Sequence, residues 1–212
     1  NHTFAHRGAT GTSVADYEAD VLKGEHLLRP LMERNGRSLR YFRHPFLQAG
    51  AVPQRRDSLN AMLREHGYTI APVTFDNDEY IHALCYEHAK RAKDDTLMHA
   101  LADDYLAYMA QAALFHEAQA QAFLGRDIPH ILLIHANALN AVELDALLTW
   151  FELEGYHFIG LEEALMDPCY QLPEATTPYG FSWIRRWQMA AGIKAPWPPE
   201  IQPEVQKRYD AL

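Results

Sequence analysis

The sequence predicts an α/β fold in which helices alternate with short parallel strands. Apolar residues recur at helical spacing in several segments that end at glycine, and between them lie short runs rich in β-branched residues. Two segments, "LREHGYTIAPVTFD" and "FELEGYHFIGLEEA", repeat one design of helix, Gly-Tyr and strand. Such units imply parallel strands joined by right-handed crossovers, in an open α/β sheet or an α/β barrel. With 212 residues, 48% of them hydrophobic, the chain can bury a substantial core.

The elements follow in order. From Asp16 to about Asn35, Tyr17, Val21, Leu22, Leu27, Leu28, Leu31 and Met32 mark a helix that Gly36 stops. A short strand is expected in "SLRYFRHP". Ser58 can cap a helix "LNAMLREHG" that Gly67 ends, and "YTIAPVTF" reads as a buried strand. The stretch from Glu79 to Leu124 predicts an unusually long helical region, free of Gly and Pro throughout. "IPHILLIHA" is the most apolar strand candidate, followed by helix "AVELDALLTWFELEG", strand "YHFIGL" and short helix "EEALMD". The tail, with "GFSWIRRW" and "PWPP", reads as an irregular wrap on the same domain.

The net charge of -9 offers no basic patch for nucleic acid or an anionic membrane. No apolar run approaches the ~20 residues needed to cross a bilayer. Cys85 and Cys169 are too few for a disulfide framework or a thiolate metal site.

In parallel α/β folds ligands collect at the carboxyl ends of strands. Those ends here are Arg43 with Pro45 and Phe46, Asp76 to Tyr80, His135 to Asn140, and Gly160 to Glu162. His2 and His6 have the H-x-x-x-H spacing that suits two imidazoles on a zinc-type cation, and equally a solvated pair at a frayed terminus. His135 closes "ILLIH", where a satisfied core histidine is the ordinary reading. Asp76, Asp78 and Glu79 follow a strand, where turn and cap roles are common. Arg43 suits an interior ion pair.

Taken in order, "NHTFAH", "FRHPF", "APVTFDNDEY" and "LLIHANALNA" resemble the polysaccharide deacetylase family of carbohydrate esterases. That family's motifs run T-F-D-D, H-[ST]-x-x-H, R-x-P-[YF], D-x-x-D-W and L-x-H. His2-Thr3-Phe4-Ala5-His6 matches the second and Arg43-His44-Pro45-Phe46 the third. Asp76-Asn77-Asp78-Glu79-Tyr80 matches the fourth with Glu and Tyr in place of Asp and Trp, and Leu133-Ile134-His135 matches the fifth. The resemblance covers about residues 1–168 and implies a distorted (β/α) barrel with a long helical insert, of a bacterial subgroup. Residues 169–212 would be a C-terminal extension packing on it.

The resemblance implies a metal-dependent hydrolase that removes N-acetyl, or less readily O-acetyl, groups from a polysaccharide or oligosaccharide. The alternative is an inactive carbohydrate-binding relative. Zinc or another divalent metal would be held by His2 and His6 with an aspartate of the first motif. His135 would be the general acid, Arg43 with Asp76 would orient the base, and Pro45, Phe46, Tyr80 and Leu133 would line the substrate pocket. The T-F-D-D motif does not precede Asn1, so the expectation is a C-terminal part of a longer domain. About 50 to 80 residues, including the first strands, would lie upstream or on a second chain completing the metal site. An acetylated glycan is the expected partner, and the periplasm or cell exterior the expected compartment.

Overall fold

The computed structural model describes residues 1–212. The chain is mostly helical, 57%, with two short parallel strands. It divides into two compact units, residues 1–73 with 172–194, and residues 74–171 with 195–212.

In the first unit, helix α1 (Val14–Arg34) starts where the Ser13 side chain accepts a hydrogen bond from the Asp16 amide, an N-cap that satisfies an otherwise orphaned donor. Tyr17, Val21 and Gly24 fall on its buried face at spacings of four and three. Strand β1 (Tyr41–Phe42) pairs in parallel with β2 (Thr69–Ile70), Tyr41 opposite Thr69. Asn1 lies along the other side of β1, its amino nitrogen donating to Tyr41 O and its carbonyl accepting from Arg43 N, as neighbouring parallel strands do. Between the strands runs α2 (Pro53–Glu65), begun by a proline whose missing N–H leaves nothing unpaired. The helix therefore starts five residues before the expected cap, and Ser58 bonds back to Gln54 O within it. Tyr17, Val21, Phe42, Leu59, Met62, Leu63 and Tyr68 form the core.

In the second unit, the expected long helix is two, α3 (Glu79–Ala92) and α4 (Asp95–Leu124). Lys93 adopts a left-handed conformation (φ 57°) that ends α3, and Asp94 caps α4 through Leu97 N at 3.0 Å. Phe75 and Leu132 form an isolated parallel bridge, all that is paired of the apolar run Ile128–Ala136. Helix α5 (Ala138–Leu153) is capped by Asn137 and packs with α3 and α4. No strand forms at 156–160, where Phe158 and Ile159 are exposed, and α6 (Leu161–Ala164) follows. The core gathers Phe75, Ile81, Tyr86, Leu101, Tyr105, Met109, Leu139, Leu147 and Phe151.

The tail carries two helices. Helix α7 (Trp183–Ala190) seats Trp183, Arg186 and Trp187 in the first unit, and α8 (Pro203–Asp210) packs on α3 in the second. The buried Arg186 guanidinium donates to Leu47 O at 2.6 Å and also to the carbonyls of Phe181, Ala175 and Tyr179, so four acceptors offset its loss of water.

Candidate functional site

The predicted site residues fall into two groups, one in each unit. In the first, the segment carrying His2 and His6 is strapped to α1. Phe4 N donates to Asp20 O and Ala5 N to the Asp20 carboxylate, at 3.1 and 3.0 Å. Gly24 permits this approach, because a side chain there would meet Thr3 backbone atoms at 3.1 Å. Thr3 and His6 are held at φ 60° and 52°, a left-handed conformation that is sparsely populated by non-glycine residues and persists only where surroundings fix it.

The result brings the two imidazoles together, their ring centres 4.9 Å apart. His2 Nδ1 lies 2.7 Å from Arg43 O. A carbonyl only accepts, so Nδ1 carries the proton and Nε2 carries the lone pair, the arrangement that second-shell carbonyls give to metal-binding histidines. The two rings therefore lie side by side. No group of three or more His, Cys, Asp or Glu side chains is arranged to hold a metal ion. Phe46 packs edge-on against His6 at 4.5 Å and is 57% exposed, whereas Pro45 is buried. Arg43 Nε reaches Ala71 O at 3.4 Å, and burial lowers the guanidinium's pKa. Between Arg43 and Pro45, His44 is wholly buried with Nδ1 bonded to the Tyr17 hydroxyl at 2.9 Å, and burial lowers its pKa to about 3.

In the second unit, Asp76, Tyr80, Leu133 and His135 cluster at the ends of the bridged segments. Asn77 ties two of these segments together: its Nδ2 donates to Leu133 O at 2.8 Å, and its own amide bonds Asp76 Oδ1 at 3.1 Å. The Asp76 carbonyl accepts from His116 Nε2 at 2.9 Å. Tyr80 is 40% exposed and meets Tyr209 edge-on.

Glu79 organises the group. Its carboxylate is fully buried, yet four N–H donors converge on it. His135 gives both its backbone amide and Nδ1 to Oε1, at 2.8 and 2.7 Å. Asn137 Nδ2 reaches Oε2 at 3.1 Å and Asn140 Nδ2 reaches Oε1 at 3.3 Å. With Nδ1 so occupied, Nε2 is the imidazole atom left to exchange a proton, and the His135 side chain is 43% exposed. A carboxylate on one ring nitrogen orients acids and bases and also metal-binding histidines. The sequence marks Glu79 as a motif position and as part of an acidic strand-end cluster with turn or cap roles, and Asn137 and Asn140 only as members of the strand-end stretch 135–140. Asn137-x-x-Asn140 directly after a strand-end histidine is the signal that could have flagged them.

No family model matches the chain, and no curated protein or solved structure is significantly similar to it.

Proposed function

We propose that this protein is a metal-dependent hydrolase that removes N-acetyl groups from a carbohydrate, with His135 as the proton-transferring residue. The observation that carries the reading is the buried Glu79 carboxylate fixed on His135 Nδ1, while the His135 side chain stays 43% exposed. The parallel pairings of β1 with β2 and of Phe75 with Leu132 support the strand direction of a (β/α) barrel, and the ordered motifs support the family.

His2 and His6 would hold the metal, with the Arg43 carbonyl keeping the His2 tautomer. A divalent zinc held there would polarise the acetyl carbonyl and acidify a water. His135 would give its Nε2 proton to the departing amine, while Glu79 keeps the ring from turning. Tyr80, which is exposed, would offer an apolar face to the sugar.

The experiment is zinc binding by calorimetry together with acetate release from an N-acetylated oligosaccharide. His135→Ala should lower kcat about 10²-fold or more with zinc affinity unchanged. His2→Ala and His6→Ala should each weaken zinc binding, as expected for one of about three protein ligands. Loss of zinc in His135→Ala would make that residue a ligand, and unchanged zinc affinity in the double histidine variant would overturn the metal assignment.

A further inference from the structure

We infer that Tyr105, in the middle of α4, is a positioning residue for His135, acting through the Asn140 amide. Tyr105 is fully buried, and its hydroxyl donates to Asn140 Oδ1 at 2.5 Å. The same amide's Nδ2 donates to Glu79 Oε1 and, at 2.8 Å, to His135 O. Each end of the Asn140 side chain therefore faces only groups of the opposite kind, a donor at its oxygen and two acceptors at its nitrogen. Turned over, the amide would set its oxygen against a carboxylate and a carbonyl inside a layer where Asn140 is 4% exposed.

Three helices meet in this chain of bonds. Glu79 opens α3, Tyr105 lies on α4 and Asn140 on the first turn of α5. The position of α4 against α3 is set next to Tyr105 by Asp104, whose carboxylate bonds His82 Nε2 at 2.8 Å one turn beyond Glu79. Burial, then the negative charge of Glu79, pushes the Tyr105 phenol pKa far above its ordinary value, so the hydroxyl remains a donor at any working pH. Without it, Asn140 keeps two acceptors but loses the contact that holds its oxygen end. The amide that ties the Glu79 carboxylate to the His135 carbonyl is then held less firmly.

Only the purpose of this alignment rests on the reading of His135 as the catalytic acid; the alignment itself is observable without turnover. The test is ¹⁵N NMR of the full chain with labelled histidine, the His135 ring signals identified by their absence in His135→Gln. Tyr105→Phe should shift or broaden the His135 Nδ1–H signal and, where acetate release is measurable, lower kcat with KM unchanged. Tyr108→Phe is the control. Tyr108 is also buried on α4, but its hydroxyl bonds the Asp78 amide, so its loss should leave the His135 signal in place. If Tyr105→Phe does not fold, Asn140→Ala, which removes the link and keeps the tyrosine, should move the same signal. A folded variant of either kind with His135 signals at their wild-type positions overturns the inference. An inactive wild type with the expected NMR changes overturns the hydrolase reading alone.

Discussion

Moving the protein from pH 7.5 to pH 5 should remove a large part of its stability, because three histidines are buried in neutral form. Burial lowers His44 to about 3, with the Arg186 and His2 charges adding to it, and lowers His116 to about 4 despite its bond to the Asp76 carbonyl. His130, stacked on Phe75 at 4.0 Å, is lowered to about 3 by burial and by His116. In the unfolded chain each ring takes a proton near 6.5. Below that pH the unfolded state binds more protons than the native one, so stability falls as pH falls, down to the folded values. At pH 5 each ring contributes about 2 kcal/mol of loss, roughly 6 kcal/mol in all, against typical total stabilities of about 5–15 kcal/mol. His82, also lowered by burial, adds to the loss; Asp78 and Glu174, raised by desolvation, offset part of it. Urea unfolding followed by far-UV circular dichroism at the two pH values measures the difference. In His130→Phe, where a phenyl ring can keep the stack on Phe75, the difference should shrink by about 2 kcal/mol. Equal stability at both pH values, or native rings that titrate near 6.5, would refute the reasoning.

Three further outcomes are expected. Glu79→Gln should destabilise the protein by about 3–5 kcal/mol in thermal or urea melts, because it places an NH₂ group among four converging donors and removes the charge facing His135. Gly180→Ala should cost about 1–3 kcal/mol or more and alter the near-UV signal, since its Cβ would collide with the Phe46 carbonyl, in a turn where Phe46 and Leu47 already sit at φ 56° and 51°; a wild-type melting curve would show that this turn gives way freely. Phe151→Ala should cost about 3–5 kcal/mol, because Phe151 is 4% exposed and contacts Phe75, Trp150 and Tyr156.

The helices were legible where their buried positions repeat at helical spacing, as with Tyr17, Val21 and Gly24 of α1. The division of α3 from α4 was not, because no glycine or proline marks it. Lys93 takes the left-handed conformation itself, and the only local trace is the aspartate pair in which Asp94 caps the next helix. The strands misled for a different reason. "ILLIH" is apolar enough for a buried strand, but Ile131 is buried and Leu132 to Ile134 are partly buried with only one residue in a ladder. Hydropathy reports removal from water, and says nothing of which backbone groups then pair. In the tail the prolines obscure where a helix begins, although one of them opens α8.

The same distinction explains how much of the candidate site could be read. His2, His6 and His135 stand in short motifs whose spacing is visible within a few residues. Glu79 acquires its meaning from donors 56 to 61 positions further along the chain, and Tyr105 from an amide 35 residues away. A buried carboxylate with one donor would be a liability; with four it becomes a fixed point from which a ring can be aimed. That change depends on the start of α3 meeting the segment that opens α5, which the local sequence of neither specifies. Chemistry-bearing groups are therefore legible one at a time, while the geometry that selects among acid, ligand and structural histidine is a property of the folded layer. For His135 that layer fixes the ring through Nδ1 on Glu79 and leaves its side chain 43% exposed, neither of which the motif alone shows.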